Sequence, residues 1–234
     1  MINLTSMNER GNMVNIKSEA EKLAIANKFL VTSERLFAKY GYLGVSLSEV
    51  AKESGVSKGT LFNYFTNKET LFMCLLLRGY QQYFEILFEK LSSLPNLSDA
   101  ELLDFFEKET RYLIQNKITL LRLNALRAPI LERKADKNQT IEGRKVLNNK
   151  IKLVGELLAQ KVSGMSADSI AHLFLAQAAI LSGLLNMSEL ESFNQESIEL
   201  TFDTFQLNMV ADGIEMVRAY VTHELQKRGK INAG

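Results

Sequence analysis

The sequence predicts an all-α protein with a small N-terminal and a larger C-terminal helical domain. The 234 residues include only two prolines and are rich in Leu, Ala, Glu, Lys and Ser, so few positions interrupt a helix. No run of alternating β-branched residues with turn dipeptides indicates a strand. Signals for helix starts and stops instead recur along the N-terminal part of the chain, which makes helix the predicted structure.

Composition favours a soluble protein of the cytoplasm. The 46% of hydrophobic residues suffices for a large core, and the single cysteine, Cys74, cannot form an internal disulfide. No basic start followed by a long apolar run marks a signal peptide. Residues 169–188 are uncharged and long enough to span a bilayer, but His172, Gln177 and Asn186 would be costly in lipid. We therefore expect a buried helix there and no membrane association.

Two helices joined by a short turn are predicted first. One runs from about Ser18 to Tyr40 and is ended by Gly41, as glycine commonly does just after a helix. Ser46 with Glu49 then forms a capping box that starts a second helix over residues 47–54.

A third and a fourth helix follow at once. Gly55 closes the second helix, and Ser57 is the predicted N-cap of a third helix that starts a few residues later. Asn67 caps a long fourth helix that stops before Pro95. Two short helices joined by a tight glycine turn, with a longer supporting helix, form a helix-turn-helix, whose second short helix enters the DNA major groove.

Gly59 lies inside the third helix, where glycine costs about 1 kcal/mol relative to alanine. Without a side chain, Gly59 lets the helix backbone come close to a DNA duplex, a use that offsets this cost. A plain helical hairpin with an unfavourable glycine is the alternative. The agreement of two N-caps with the glycine turn favours the helix-turn-helix.

A family resemblance rests on the run FAKYGYLGVSLSEVAKESGVSKGTLFNYFTNKETLF, residues 37–72. This run is similar to the DNA-binding signature of the TetR family of bacterial transcriptional regulators. The resemblance implies a helix-turn-helix three-helix domain over residues 17–66 and a helical ligand-binding and dimerisation domain over residues 67–234. Residues 1–16 would form an N-terminal arm.

Carried over position by position, the resemblance implies that Ser46 and Lys68 contact phosphates. It also implies a DNA-facing surface, made of Ser57, Lys58, Gly59, Thr60, Phe62, Asn63 and Tyr64. Helix N-termini and hydroxyl groups favour phosphate, and exposed side chains of the third helix reach base edges. Phe62 replaces the tyrosine usual in the family, so a phenolic phosphate contact is missing and Phe62 either touches a thymine methyl or packs. The expected partner is double-stranded DNA with a palindromic operator.

Further helices are predicted after Pro95, over about residues 98–117, 119–128 (stopped by Pro129), 130–162 (one long or one broken helix), 166–190 and 194–227. The last two are more apolar than one small core needs. Pairing them with their copies in a second subunit gives a four-helix interface, as TetR-like regulators form. We therefore predict a homodimer whose interface includes Ile180, Leu184, Phe202, Phe205, Met209 and Met216.

The middle helices contain candidates for a small-molecule cavity, because ligand pockets are mostly apolar with a few placed polar groups. The candidates are Phe105, Tyr112, Leu123, Leu126, Arg127, Phe174, Gln177 and Leu181. Among the polar ones, Arg127 and Gln177, together with Arg122, could fix an acid or hydroxyl group. The alternative is that the apolar residues are ordinary core and that the arginines are solvated surface charges.

Three functions follow from these patterns. The first is a transcriptional regulator, a repressor released by a small hydrophobic ligand; the second is a DNA-binding protein whose helical body binds a protein partner. The third, an enzyme, lacks an Asp-rich metal motif, a nucleophile with a nearby base and a phosphate loop, so we expect no catalytic residue and no cofactor. His172 and His223 are far apart in sequence, with no cluster at metal spacing, so no metal site is expected. A closed apolar cavity would favour the first function, and a filled core with an exposed apolar patch would favour the second.

Overall fold

The structure, a computed structural model, describes residues 18–188 and 207–231. The predicted interface residues Phe202 and Phe205 and the predicted arm of residues 1–16 lie outside this part of the chain. The described residues form α-helices and one short π-helical segment, and contain no strand. The predicted all-α fold class is confirmed.

The α-helices are numbered in chain order. They are α1 Glu19–Tyr40, α2 Leu47–Ser54, α3 Lys58–Tyr64, α4 Lys68–Ser92, α5 Asp99–Asn116, α6 Ile118–Ala125, α7 Lys137–Lys161, α8 Ala167–Ser188 and α9 Met209–Ile231. The π-helical segment, Arg127–Leu131, follows α6. The chain divides into two compact units between Lys68 and Glu69. The boundary predicted from the sequence lies two residues earlier, and the roles assigned to the two domains stay predictions.

The first unit contains α1, α2 and α3. Ser18, Ser46 and Ser57 each accept a hydrogen bond from a backbone N–H in the first turn of the helix that follows. These caps start the three helices where the sequence predicted. Apolar residues from all three helices form the core of the unit, among them the fully buried Phe29 and Leu61.

The second unit is a helical bundle in which α8 is central. α8 packs against α6, α7 and α9, and α5 packs against α6 and α9. Side chains of α4 reach α7, because Gln81 Nε2 donates to the carbonyl of Gly143 at 2.8 Å. By length and composition alone, residues Ala167–Met187 of α8 could cross a membrane. A core helix has the same composition, and α8 is enclosed on one side by its neighbours.

Pro129 does not stop a helix as predicted. α6 ends before it, and the chain passes through Pro129 in the π-helical segment. The backbone N–H groups of Leu131 and Glu132 donate to carbonyls five residues back, those of Leu126 and Arg127, at 3.1 and 2.9 Å. Two hydrogen bonds of the wider π type thus hold the turn, although proline itself donates none.

Of the two alternatives predicted for residues 130–162, the broken helix is the one found: the π-helical segment ends at Leu131, and α7 covers Lys137–Lys161. The Asp136 carboxylate accepts from the backbone N–H of Gln139 at 2.8 Å, and the backbone N–H of Asp136 donates to Thr70 Oγ1 at 2.8 Å. These two bonds start the helix at Lys137.

The sequence had predicted one continuous last helix from Asn194, and the structure differs. Residues 207–208 are not helical, and α9 begins at Met209. Asn208 Oδ1 accepts from the backbone N–H of Ala211 at 2.9 Å, and Asp212 accepts from the backbone N–H of Asn208 at 2.8 Å. This reciprocal pair caps a new helix start, which the apolar spacing of the segment did not reveal.

Candidate functional site

The start of α2 is a closed capping box. Ser46 Oγ accepts from the backbone N–H of Glu49 at 3.2 Å, and Glu49 Oε2 accepts from both the backbone N–H and the hydroxyl of Ser46, at 2.9 and 2.8 Å. The hydrogen bond from the Ser46 side chain is the main reason that the pKa of Glu49 lies below its ordinary value. Ser46 is exposed. A DNA phosphate would therefore compete with Glu49 for its hydroxyl proton, and the predicted phosphate contact stays a prediction.

The turn between α2 and α3 depends on Gly55. Its φ of 67° lies in the left-handed region, where residues with a side chain are strained. Two residues later, Ser57 Oγ accepts from the backbone N–H of Thr60 at 3.1 Å and lies 2.8 Å from Thr60 Oγ1. Both predicted helix boundaries are confirmed, so α3 begins immediately after the turn.

α3 presents one buried and one exposed face. Leu61 is fully buried, whereas Lys58, Gly59, Phe62 and Asn63 are exposed. The Phe62 side chain is 43% exposed, and the Lys58 ammonium lies 5.8 Å from its ring centroid. Of the two possibilities for Phe62, inward packing is therefore excluded. An ammonium, an amide and an aromatic ring stand together on this face, which suits contact with phosphates and base edges.

No part of the described chain requires glycine at position 59. A Cβ placed there would have Ser57 Oγ, at 4.0 Å, as its nearest neighbour. Gly59 is exposed within a regular helix and is absent from the residues with positive φ. Neither packing nor backbone conformation explains this glycine, and close approach of an external partner stays the predicted reason for it.

Tyr64 and Lys68 are held by other residues of the first unit. The Tyr64 ring lies 6.0 Å from Phe29 and 6.4 Å from Phe65, at the edge of the aromatic core. The Lys68 ammonium donates to the backbone carbonyl of Tyr42 and lies 4.1 Å above the Tyr42 ring. Both residues are half-buried, so only part of each can meet DNA. Their predicted DNA contacts remain untested.

Most of the predicted cavity residues instead form a packed core. The Phe174 ring lies 5.1 Å from Phe106 and 6.5 Å from Phe105, and Gln177 Nε2 donates to Thr110 Oγ1 at 2.9 Å. Leu123 and Leu181 are also buried, and Leu126 caps the end of α6. None of these residues lines either of the two clefts described below. The sequence pattern identified the core correctly as apolar but did not distinguish filled from empty space.

The larger cleft, of about 360 Å³, lies between α4, α6, α7 and α8. Of the predicted ligand residues, only Arg127 lines it. The other lining residues are Leu76, Leu77, Tyr80, Asn124, Arg144, Leu147, Asn148, Ile151, Lys152, Asp168, Ala171, His172 and Leu175. Its volume lies within the range of small-molecule sites, about 300 to 1,000 Å³. The sequence offered no signal for Tyr80 or Arg144, since an empty space depends on how whole helices pack.

Tyr112 lines a smaller cleft of about 150 Å³. Glu109, in the same cleft, is only 3% exposed, and its carboxylate accepts from the Tyr83 hydroxyl at 3.2 Å and from the Lys90 ammonium. Burial, followed by the charge of Glu109, raises the pKa of Tyr83. Both carboxylate oxygens already have a partner, so this cleft lacks an open polar anchor on Glu109.

The outer face of α8 is apolar and exposed. Leu175 and Met187 are 53% and 58% exposed, and the space beside Gly183 is open. Ile180 and Met209 are half-buried and Met216 is exposed, so these predicted interface residues have free surface. Leu184 has little free surface, because it is buried in its own chain, and its predicted contact with a second subunit stays a prediction.

Comparison with known proteins supports the assignment of the first unit. A family model described as bacterial regulatory proteins, tetR family, matches residues 29–73. The HTH-type transcriptional repressor NemR of Escherichia coli K12 is 39% identical over 64 residues, which are 27% of this chain and 32% of NemR. An uncharacterised HTH-type regulator of Bacillus subtilis, YuxN, is 34% identical over 82 residues, 35% of this chain and 25% of YuxN. The chain thus spans about a quarter to a third of the length of these two curated relatives.

Solved structures share the fold over most of the chain. A TetR-family transcriptional regulator of Mesorhizobium loti aligns with a TM-score of 0.51 at 21% identity, covering 90% of this chain and 98% of that protein. The fatty acid degradation regulator FadR of Bacillus halodurans aligns with a TM-score of 0.54 at 15% identity, covering 84% and 94%. The family match in the helix-turn-helix and the shared fold beyond it agree: residues 29–73 match the TetR family of bacterial regulatory proteins, and the described helical body has a fold found in a solved TetR-family structure.

Proposed function

We propose that this protein is a sequence-specific DNA-binding transcriptional regulator. One observation carries the proposal: α3 exposes Lys58, Phe62 and Asn63 around Gly59, a glycine for which the described chain has no internal use. A helix that enters the major groove needs a backbone free to approach the duplex and side chains able to reach base edges.

Each group on α3 has a distinct role in this proposal. The Asn63 amide can donate to and accept from the edge of an adenine, and the exposed edge of Phe62 can meet a thymine methyl. Lys58, Lys68 and the hydroxyls of Ser46 and Ser57 would neutralise or bind phosphates and so set the position of α3 on the duplex. Binding of this kind releases counterions and should weaken steeply with salt.

The regulator is proposed to act as a homodimer on an inverted-repeat operator. The uncharged outer face of α8, with Leu175, Gly183 and Met187 exposed, supports this assembly. A two-fold dimer presents two copies of α3 and therefore favours a palindromic site. The expected location of the protein is the cytoplasm, where bacterial DNA is found.

The protein is further proposed to be a repressor released by a small ligand. NemR is a repressor by name, and the 360 Å³ cleft offers space for a small-molecule effector. The packed core around Phe174 and the exposed apolar face of α8 are the features expected of the alternative, a DNA-binding protein whose helical body binds a protein partner. α4 lines this cleft through Leu76, Leu77 and Tyr80 and begins at Lys68. A ligand that displaces α4 would favour one conformation of the protein, and DNA would favour the other. Binding of either one would therefore weaken binding of the other.

Selection of bound sequences from a random pool of duplex DNA tests the proposal. The expected result is one inverted-repeat motif whose two halves are identical within error. Recovery of unenriched sequences at moderate salt would contradict specific DNA recognition. Recovery of a single unpaired half-site would contradict the dimer and leave DNA recognition standing.

A further inference from the structure

We infer that the 360 Å³ cleft binds an amphipathic organic anion whose carboxylate is held by Tyr80, Arg127 and Arg144. The inference rests on the proposed function, because it names the chemical class of the effector. Three features of the cleft carry it: a buried donor without an acceptor, two cations that share one counterion, and a polar asymmetry along α7.

Tyr80 supplies the donor. Tyr80 lines the cleft, and its hydroxyl is buried and has no hydrogen-bond partner among the described residues. Burial raises the pKa of this phenol, so it stays protonated and able to donate at neutral pH. A buried donor left without an acceptor destabilises the ligand-free protein. An oxygen atom of a bound ligand would supply the missing acceptor.

Arg127 and Arg144 supply the charge. Arg127 Nε lies 3.7 Å from Glu132 Oε1, and Arg144 Nη2 pairs with the same oxygen. Two guanidinium groups thus share one carboxylate, which leaves one positive charge in excess. Arg127 also acts electrostatically on the phenol of Tyr80, so the donor and the cations belong to the same end of the cleft. Guanidinium groups bind carboxylates through paired N–H donors.

The cleft is asymmetric along α7. Asp168, the one acidic residue among the described lining residues, lies in the first turn of α8. That turn lies against Gly155, since a Cβ there would be 2.7 Å from the carbonyl oxygen of Ala167. Gly155 and Arg144 are about 16 Å apart along the helix at its usual rise. The anionic end of a ligand is therefore favoured beside Arg144, well away from Asp168.

Apolar side chains line the space between these ends. Leu147 and Ile151 of α7 and Leu76 and Leu77 of α4 offer a surface for an alkyl chain. A short fatty acid combines such a chain with one carboxylate, and its modest size suits a cleft at the lower end of the usual range of ligand sites.

The π-helical segment connects anion binding to the backbone. Arg127 is its first residue, and the backbone N–H of Glu132, directly after it, donates to the Arg127 carbonyl at 2.9 Å. A ligand carboxylate that replaces the Glu132 carboxylate at Arg127 would break the side-chain contact between the two residues at the ends of this turn. π-Helical turns inside helices are frequent at functional sites.

The test compares three ligands with the same alkyl chain by calorimetry on the full-length protein: octanoate, 1-octanol and octyltrimethylammonium. Octanoate is expected to bind at least tenfold more tightly than either of the others. Tyr80→Phe should weaken octanoate binding about tenfold, while the melting temperature of the ligand-free protein is unchanged or higher because an unsatisfied hydroxyl is gone. Glu132→Gln, which removes the competing carboxylate, should strengthen octanoate binding.

Tyr83→Phe is the matched control, one turn further along α4. It removes the hydroxyl that donates to Glu109, so it should lower the melting temperature and leave octanoate affinity unchanged. Equal affinity for octanol, tighter binding of the cation, no binding of octanoate, or no effect of Tyr80→Phe would each overturn the inference. Sequence-specific DNA binding is measured separately: if it persists in any of these cases, only the ligand class is wrong, and if it is absent, the proposed function itself fails.

Discussion

Replacing Gly59 by alanine should move folding stability and DNA affinity in opposite directions. The new Cβ would have Ser57 Oγ as its nearest neighbour, at 4.0 Å, so the folded chain accommodates it without displacement. Alanine is favoured over glycine inside a helix by up to about 1 kcal/mol, and rather less is expected in the first turn of a short helix. The unliganded protein should therefore be equally or slightly more stable.

DNA affinity should fall because the added methyl group occupies space that the proposed complex gives to the duplex. A loss of at least tenfold, or about 1.4 kcal/mol, is expected for the cognate operator. Chemical denaturation measures the first effect, and titration of labelled operator at fixed salt measures the second. Unchanged operator affinity in Gly59→Ala would refute the argument that close approach of DNA explains this glycine.

Gly155→Ala serves as the control for the stability half of this prediction. The same substitution there would place a Cβ 2.7 Å from the carbonyl oxygen of Ala167, a contact that the backbone must yield to. Overpacking of this kind costs about 1 to 3 kcal/mol. A stabilised Gly155→Ala protein would show that the spacing around these glycines does not predict the sign of the effect.

Three further predictions address DNA contacts, assembly and thiol chemistry. Lys68→Ala should weaken binding to all DNA sequences about equally and lower the salt dependence of binding by about one counterion, whereas Asn63→Ala should reduce discrimination at one base pair by roughly 1 to 3 kcal/mol. Binding titrations on operators with single base-pair substitutions test both; a loss of discrimination in Lys68→Ala, or a uniform loss of affinity in Asn63→Ala, would contradict the assigned roles. Gly183→Glu should leave the subunit folded, because the site is open, yet shift sedimentation from dimer to monomer, and an intact dimer would exclude this face. Burial raises the pKa of Cys74 from 9.0 to about 11, so alkylation of the native protein should be slow at pH 8 and accelerate as the pH approaches 11. The folded state favours the neutral thiol, so its contribution to the free energy of unfolding is fully present below pH 9 and is lost as the pH rises through 11. Fast alkylation at pH 8 would contradict the buried thiol.

The parts of the fold that the sequence predicted well are those held by local hydrogen bonds. The capping box at Ser46 and the cap at Ser57 each join residues three apart, so they are visible in a short stretch of sequence. The exposed face of α3 follows from the same local reasoning, because one buried residue, Leu61, sets the orientation of a helix of seven residues.

The larger cleft could not be predicted, because it depends on contacts between distant segments. Phe174 and Gln177 looked like residues that line a cavity. In the folded chain, partners far away in sequence occupy the space beside them: Phe106 packs on Phe174, and Thr110 accepts a hydrogen bond from Gln177. Tyr80 looked like an ordinary core aromatic, and only the folded chain reveals that its hydroxyl lacks an acceptor. Pro129 was misjudged because the sequence gives no sign of the wider π turn that accommodates it.

The local construction of the α2–α3 segment also has an evolutionary consequence. Lys58 and Asn63 point away from the core and make no contribution to the caps or to the Gly55 turn. Mutations at these two positions therefore escape selection for folding and, under the proposed function, are free to follow selection for a new operator. If the proposed function holds, a duplicated gene of this kind can acquire a different set of target promoters through one or two changes on α3, long before its helical body changes what it binds.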